Sequence, residues 1–387
     1  ASLEAGITAT GAVAPGGSLE IGRNRIAGPG AGIVVGADAT VDANTINRLG
    51  EQSGTDGIVV DVGTLTVQPG DVRITGNRVH DRTGTGIALR TSVRTFMVKQ
   101  NVLTNVGAGI AIEGMGKAER VAIEDNEVFD VATAEGEKQF VVGIHVAAST
   151  SAAIVGNTVA RVAPAFKEGT QLAAILCTAT EDVRIAGNTV DEVGPQDGYA
   201  GFAAGIAVAG PFERASVSDN SSRFGPNAAG PPSGTWWALV IESGGEEQTR
   251  IAGTTVVPVE SGALAVTADG VFAVALRAGH AGVASNTLVG GGPGDEPACR
   301  VRVTGDIVAD ANQCRYEVAE DPTGILLRGS SIVASSNRLR GESAMLILQT
   351  NEVGFAAVGN LAAGGTHFGA PGNGLPPPWQ DLNPTVP

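Results

Sequence analysis

Apolar and polar positions alternate in short bursts along the whole chain, and the bursts repeat. The recurring phrase is V-x-I-x-G-N-x-V, with good copies at 72–79 (VRITGNRV), 121–128 (VAIEDNEV) and 183–190 (VRIAGNTV). Its asparagine, the marker, falls at Asn24, Asn44, Asn77, Asn101, Asn126, Asn157, Asn188, Asn220, Asn286, Asn312, Asn337 and Asn360. Thr254 fills the one missing beat, and neighbouring markers stand 20 to 34 residues apart. Self-similarity at such a period is the mark of a repeat architecture.

Side chains of a strand alternate between its two faces, so the pattern also assigns faces. Three residues before the marker stand Ile21, Val41, Ile74, Val98, Ile123, Ile154, Ile185, Val217, Ile251 and Val283. Two after it stand Ile26, Ile46, Val79, Leu103, Val128, Val159, Val190, Val256, Leu288, Cys314 and Leu339. Both columns are predicted to face inward, with Ser222 and the late alanines as exceptions. A second strand in each coil reads G-I-x-V, as at 32–35, 57–60, 86–89, 109–112, 143–146 and 205–208. Later versions stand at 238–241 and 324–327.

One coil is too short to bury its own apolar face. Stacked coils pair every strand with neighbours above and below, at about 4.8 Å per coil. The thirteen markers therefore predict about thirteen coils and a rod about 60 Å long. Asparagine tolerates the left-handed backbone region, so the marker is expected to form the bend itself, with its amides stacked along the rod.

Composition agrees with many short strands and tight turns. The 387 residues include 56 Gly, 43% are apolar and only 4% are aromatic. The net charge of −15 disfavours nucleic acid, which needs a basic surface. No run reaches the roughly 18 uninterrupted apolar residues of a membrane span. The chain starts at Ala1 with no Met and no secretory leader. It is read as a mature or excised piece of a longer polypeptide, with an upstream domain or partner at its uncapped start.

On these repeats the chain resembles the right-handed parallel β-helix, or pectin-lyase-like, superfamily, asparagine ladder included. The resemblance covers nearly the whole chain and implies an all-β, single-stranded right-handed parallel β-helix over residues 1–363. It does not choose a function. The superfamily includes polysaccharide lyases, hydrolases and epimerases, phage tailspikes, adhesins and non-catalytic scaffolds.

Departures from regularity supply the candidates. The coils between Asn126 and Thr254 are longer, and their extra residues fall between the marker and the next G-I-x-V strand. Stacked, these insertions gather Phe140, Phe166, Tyr199, Phe202, Phe224, Trp236 and Trp237 on one side of an aromatic-poor rod. The rings either cover an open side of the core or form a surface for a polysaccharide or protein partner. A second departure is electrostatic. Residues 71–99 carry Arg73, Arg78, Arg82, Arg90, Arg94 and Lys99 against Asp71 and Asp81 only. This stretch is either a solvated face or a seat for an acidic glycan. A third is the position four residues after the marker, where Arg48, Asp81, Asn105, Asp130, Arg161 and Glu192 follow one another as a cross-coil charge ladder, with Arg48 expected over Asp81 and Arg161 between Asp130 and Glu192.

Enzymes on sugars need an acid and a base flanking the bond. The pectate-lyase W-x-D-H phrase, the polygalacturonase set and the alginate-epimerase Y-G-x-D-P-H phrase are all missing. The best catalytic candidate is His80, with Asp81, Arg82 and Arg90 beside it in sequence. His80, His145, His280 and His367 lack zinc-ligand spacing, and acidic turns offer calcium no nonapeptide repeat. No cofactor is expected. Cys177 reads as a core thiol, whereas Cys299 and Cys314 stand half a coil apart, so geometry decides a disulfide. Past Asn360 the repeat stops, and the Pro-rich tail 364–387 is expected to end β-pairing as a cap or docking segment.

The leading expectation is a non-catalytic β-helix scaffold or binding module for surface attachment or assembly. The alternative is a polysaccharide lyase, epimerase or hydrolase acting on an acidic glycan. An extracellular or cell-surface setting is favoured, within a homo-oligomer or larger assembly.

Overall fold

The computed structural model describes residues 5–9, 17–47, 55–62, 69–114, 116–132, 140–164, 171–194, 202–223, 235–242, 248–252, 255–256, 271–278, 280–290, 299–303, 305–316, 323–340, 345–349, 355–363, 368–369 and 385–386. Every strand pairing described is parallel, and no helix is found among these residues. The strands that precede the marker form one 13-stranded sheet in strict chain order. The strands after the marker and the G-I-x-V strands, called here the far strands, join into a second sheet of 26. In Arg78–Leu89 and Val102–Ile112 the two run on as one bent strand. The fold is thus an all-β parallel solenoid.

Register follows the predicted columns. Ile74 pairs with Val98, Val98 with Ile123, Ile123 with Ile154 and Ile154 with Ile185. These side chains are buried, as are Ile46, Val79, Leu103, Val128, Val159 and Val190 of the second column. Each buried Val or Ile contributes about 1.5–3 kcal/mol. Ser222 takes the slot between Val190 and Val256, and its buried hydroxyl has no hydrogen-bond partner.

The marker turn differs from expectation. In all twelve asparagine coils the left-handed residue is the one before the marker, from Arg23 (φ 59°) to Gly359 (φ 69°). Non-glycine residues fill eight of these positions, each at a cost of roughly 1–2 kcal/mol. The asparagine stays outside that region because its amide is needed inside the rod. Asn126 shows the pattern. Its Nδ2 donates to Oδ1 of Asn157 at 2.9 Å and to the carbonyl of Val98 at 2.9 Å. Its Oδ1 accepts from the backbone N–H and the Nδ2 of Asn101, both at 3.0 Å. Linked amides run from Asn24 to Asn220 and again from Asn286 to Asn360. Thr254, the expected stand-in, lies outside the described residues, although Thr255 keeps register with Ser221 and Thr287.

The tail also departs from expectation. Pairing continues past residue 363: Phe368–Gly369 adds to Met345–Gln349, and Thr385–Val386 adds to Leu361–Ala363. The consecutive prolines at 376–378 precede this last strand, so they do not prevent a short strand on the end of the sheet.

Candidate functional site

The residues around His80 are led apart by the bend of the strand. In Arg78–Leu89, Val79 is buried, His80 is half-buried on the outer side and Asp81 turns left-handed at φ 56°. Asp81 is exposed and accepts from Asn105 Nδ2 at 2.7 Å. The turn carries Arg82 into the rod, where it is 2% exposed. Its guanidinium donates to the carbonyls of Gly28 (3.0 Å), Gly30 (2.7 Å) and Asn47 (2.9 Å). Burial pulls this guanidinium below its ordinary range, against the opposing pull of Asp56. Its Nε is left without a partner. Arg82 is therefore a staple between coils.

Arg90 lies at the end of the far strand, where its backbone N–H donates to the Val60 carbonyl. Its side chain bridges Asp56 at 2.9 Å and Glu113 at 3.0 Å. Burial lowers its guanidinium, but these two carboxylates outweigh burial and hold it above the usual value. Thr85 closes the group, its N–H donating to Asp56 at 2.8 Å and its hydroxyl to Glu113. Other members of the basic stretch are also paired. Arg94 meets Asp71 at 2.6 Å, and Lys99 meets Glu124 at 3.2 Å. Arg73 and Arg78 are exposed on separate sheets. Arg90, Arg94 and Lys99 are therefore held in cross-coil ion pairs and Arg82 by carbonyls, and the structure does not converge His80, Asp81, Arg82 and Arg90 on one point.

The long coils give a different picture. On the outer side of the far strands two columns are apolar. Val142, Ala173, Ala204 and Trp237 form one, and Leu176, Ala207 and Val240 continue from His145 in the other. They make a second apolar cluster, separate from the core. Trp237 is only 6% exposed, with the Arg300 guanidinium 5.1 Å over its ring. Phe140 is 39% exposed and meets His145 edge-on at 5.9 Å. Burial pushes the His145 imidazole below its usual value, and the charge of Glu113 opposes this. Phe202 shares a register column with Gln171 and Phe140. Trp236 shares a column with Ala203 and Leu172, which belong to the core. Phe166, Tyr199 and Phe224 lie outside the described residues.

Sequence reading missed the outer cluster and the Asp56–Arg90–Glu113 group. The signal was available in the x of G-I-x-V, read down successive coils. Cys177 is fully buried and its thiol is pushed up to about 12. Cys314 is buried in its column, and Cys299 shares a register column with the core residues Leu239 and Ile325. The Cys299 side chain lies outside those described, as does the disulfide question. Among the described residues no three His, Cys, Asp or Glu gather as a metal site. Among the described residues there is no helix long and apolar enough to cross a membrane.

A parallel solenoid bonded through stacked amides defines a class of repeat proteins. A family model described as "Right handed beta helix region" matches residues 6–221, which include the markers from Asn24 to Asn220. The chain belongs to this right-handed β-helix family. No curated protein and no solved structure matches the chain.

Proposed function

We propose that the rod is a non-catalytic scaffold and binding module for surface attachment or assembly, working outside the cell or at its surface. One observation supports this reading above others. Arg82, Arg90 and Asp81, the charged candidates around His80, are all bonded within the rod. A side chain committed to holding two coils together is not held ready to move a proton. The partner, a polysaccharide or a protein, is assigned to the far-strand side of the long coils, where Phe140 stands exposed beside an apolar cluster. Binding of a panel of immobilised polysaccharides and cell-surface extracts to the full chain tests the assignment. Phe140→Ala should weaken binding severalfold at an unchanged unfolding midpoint; binding equal to the parent would remove this face from the reading.

A further inference from the structure

His145 stands between the charged group and the apolar cluster. Its column runs from Ala111 on the coil before to Leu176 on the coil after, both buried. Its half-buried ring meets Phe140 edge-on at 5.9 Å, and its Nε2 lies 3.3 Å from the Thr178 hydroxyl. Its Nδ1 has no hydrogen-bond partner among the described residues. Glu113 follows Ala111 by two residues and so faces the same way. That makes it a diagonal neighbour of His145, a separation long side chains can span. Glu113 Oε2 accepts twice from Arg90, both at 3.0 Å, and Oε1 accepts from the Thr85 hydroxyl. Each carboxylate oxygen can take about two donors, so Oε1 keeps one place open. The coil after offers the imidazole only Leu176 and Thr178, neither of them charged. Among the described residues, Glu113, with Arg90 behind it, is therefore the charge that acts on the ring.

We propose that His145 is a proton-operated switch of this face: neutral, its ring rests against Phe140; protonated, it turns away and donates to the open place on Glu113 Oε1. Two stable positions follow from the neighbours. A neutral imidazole suits an apolar border and needs only the Thr178 hydroxyl. An imidazolium carries two N–H donors and a charge that Ala111 and Leu176 cannot solvate. Remaining beside Phe140 offers it at most the attraction of a cation for a ring. At an exposed site that is weaker than a charge-assisted hydrogen bond to a carboxylate. Burial opposes protonation and Glu113 favours it, with burial the stronger, which places the change on the acid side of neutrality. Phe140 is the exposed ring assigned to the partner, so the face should hold its partner at neutral pH and release it in acid. This consequence rests on the binding-module reading; the switch itself does not.

The test is a pH series of NMR spectra on the full chain with labelled histidine and phenylalanine rings. The series runs from neutrality to about pH 5, where carboxylates are still ionised. His145→Gln assigns the His145 signals and removes the switch. His145 should titrate with a midpoint below the ordinary imidazole value of about 6.5. Cross-relaxation between the His145 and Phe140 ring protons should be present at neutral pH and fade with that same midpoint. The Phe140 signals should move with it in the parent and stay still in His145→Gln. Glu113→Gln should lower the midpoint further and keep the two rings in contact through the titration. Ring contact that persists in the parent after full protonation would overturn the switch. So would Phe140 signals that move equally in His145→Gln, or a Glu113→Gln variant with the parent's midpoint and the parent's loss of contact. No partner enters these measurements, so the switch can fail while the binding face stands. Conversely, unchanged partner binding by Phe140→Ala would remove the release in acid and leave the switch.

Discussion

The marker asparagine is a residue that no neighbour can replace. Each inner one makes side-chain hydrogen bonds to the coils on both sides, and all of them are buried from Asn44 onward. Truncating Asn126 takes the Nδ2 donor from the Val98 carbonyl and the Oδ1 acceptor from the Asn101 backbone N–H and Nδ2, and leaves Asn157 Oδ1 with only the Asn126 backbone N–H of its two donors from that residue. At about 1–3 kcal/mol for each buried unsatisfied group, Asn126→Ala should cost several kcal/mol. Asn24 stands half-exposed at the open end of the ladder, so Asn24→Ala should cost far less. Thermal unfolding of the two variants measures the contrast. Ser222 is the reverse case. Its hydroxyl is buried without a partner in a column of valines, so Ser222→Val should raise the unfolding midpoint, worth about 1–3 kcal/mol.

At the scale of the element, cross-coil ion pairs tune register and respond to acid. The Arg161 hydrogen bond holds the Asp130 carboxyl below the usual carboxylate range, and Arg214 and Arg94 do the same for Asp182 and Asp71. A carboxyl lowered on folding contributes stability that is present above its unfolded value and lost as the pH falls through its folded value. The rod should therefore keep its unfolding midpoint between pH 5 and 7 and lose stability below about pH 4. Arg161→Ala should remove part of that acid loss, so the difference between parent and variant should shrink as melts are taken to progressively lower pH. The strand columns were legible in the sequence because alternation assigns faces without reference to anything distant. The left-handed residue before each marker was not legible. It is a different amino acid from coil to coil, and the amide that sets it points to another coil. Arg82 was misread for the same reason: the bend at Asp81 turns it inward, and its three carbonyl partners lie 35 to 54 residues away.

For the whole molecule, the corners between strands show how closely the coils nest. At Gly109 an added Cβ would meet the Gly143 carbonyl oxygen at 2.0 Å and the Val128 side chain at 2.6 Å. Such packing suits a rigid rod that presents faces, and the outer side of the far strands changes along its length. It begins with the Asp56–Arg90–Glu113 group and continues through the apolar cluster. The sequence disclosed where the long coils lie, but which aromatic rings are buried depends on register across four strands. The central claim is that His80 and its charged neighbours serve the rod and not a reaction. It is tested most directly by incubating the full chain with a panel of neutral and acidic polysaccharides and following new reducing ends and unsaturated products over time. The parent and His80→Ala should be indistinguishable, both at the level of the no-protein control. Sustained turnover by the parent that is lost in His80→Ala would contradict the claim.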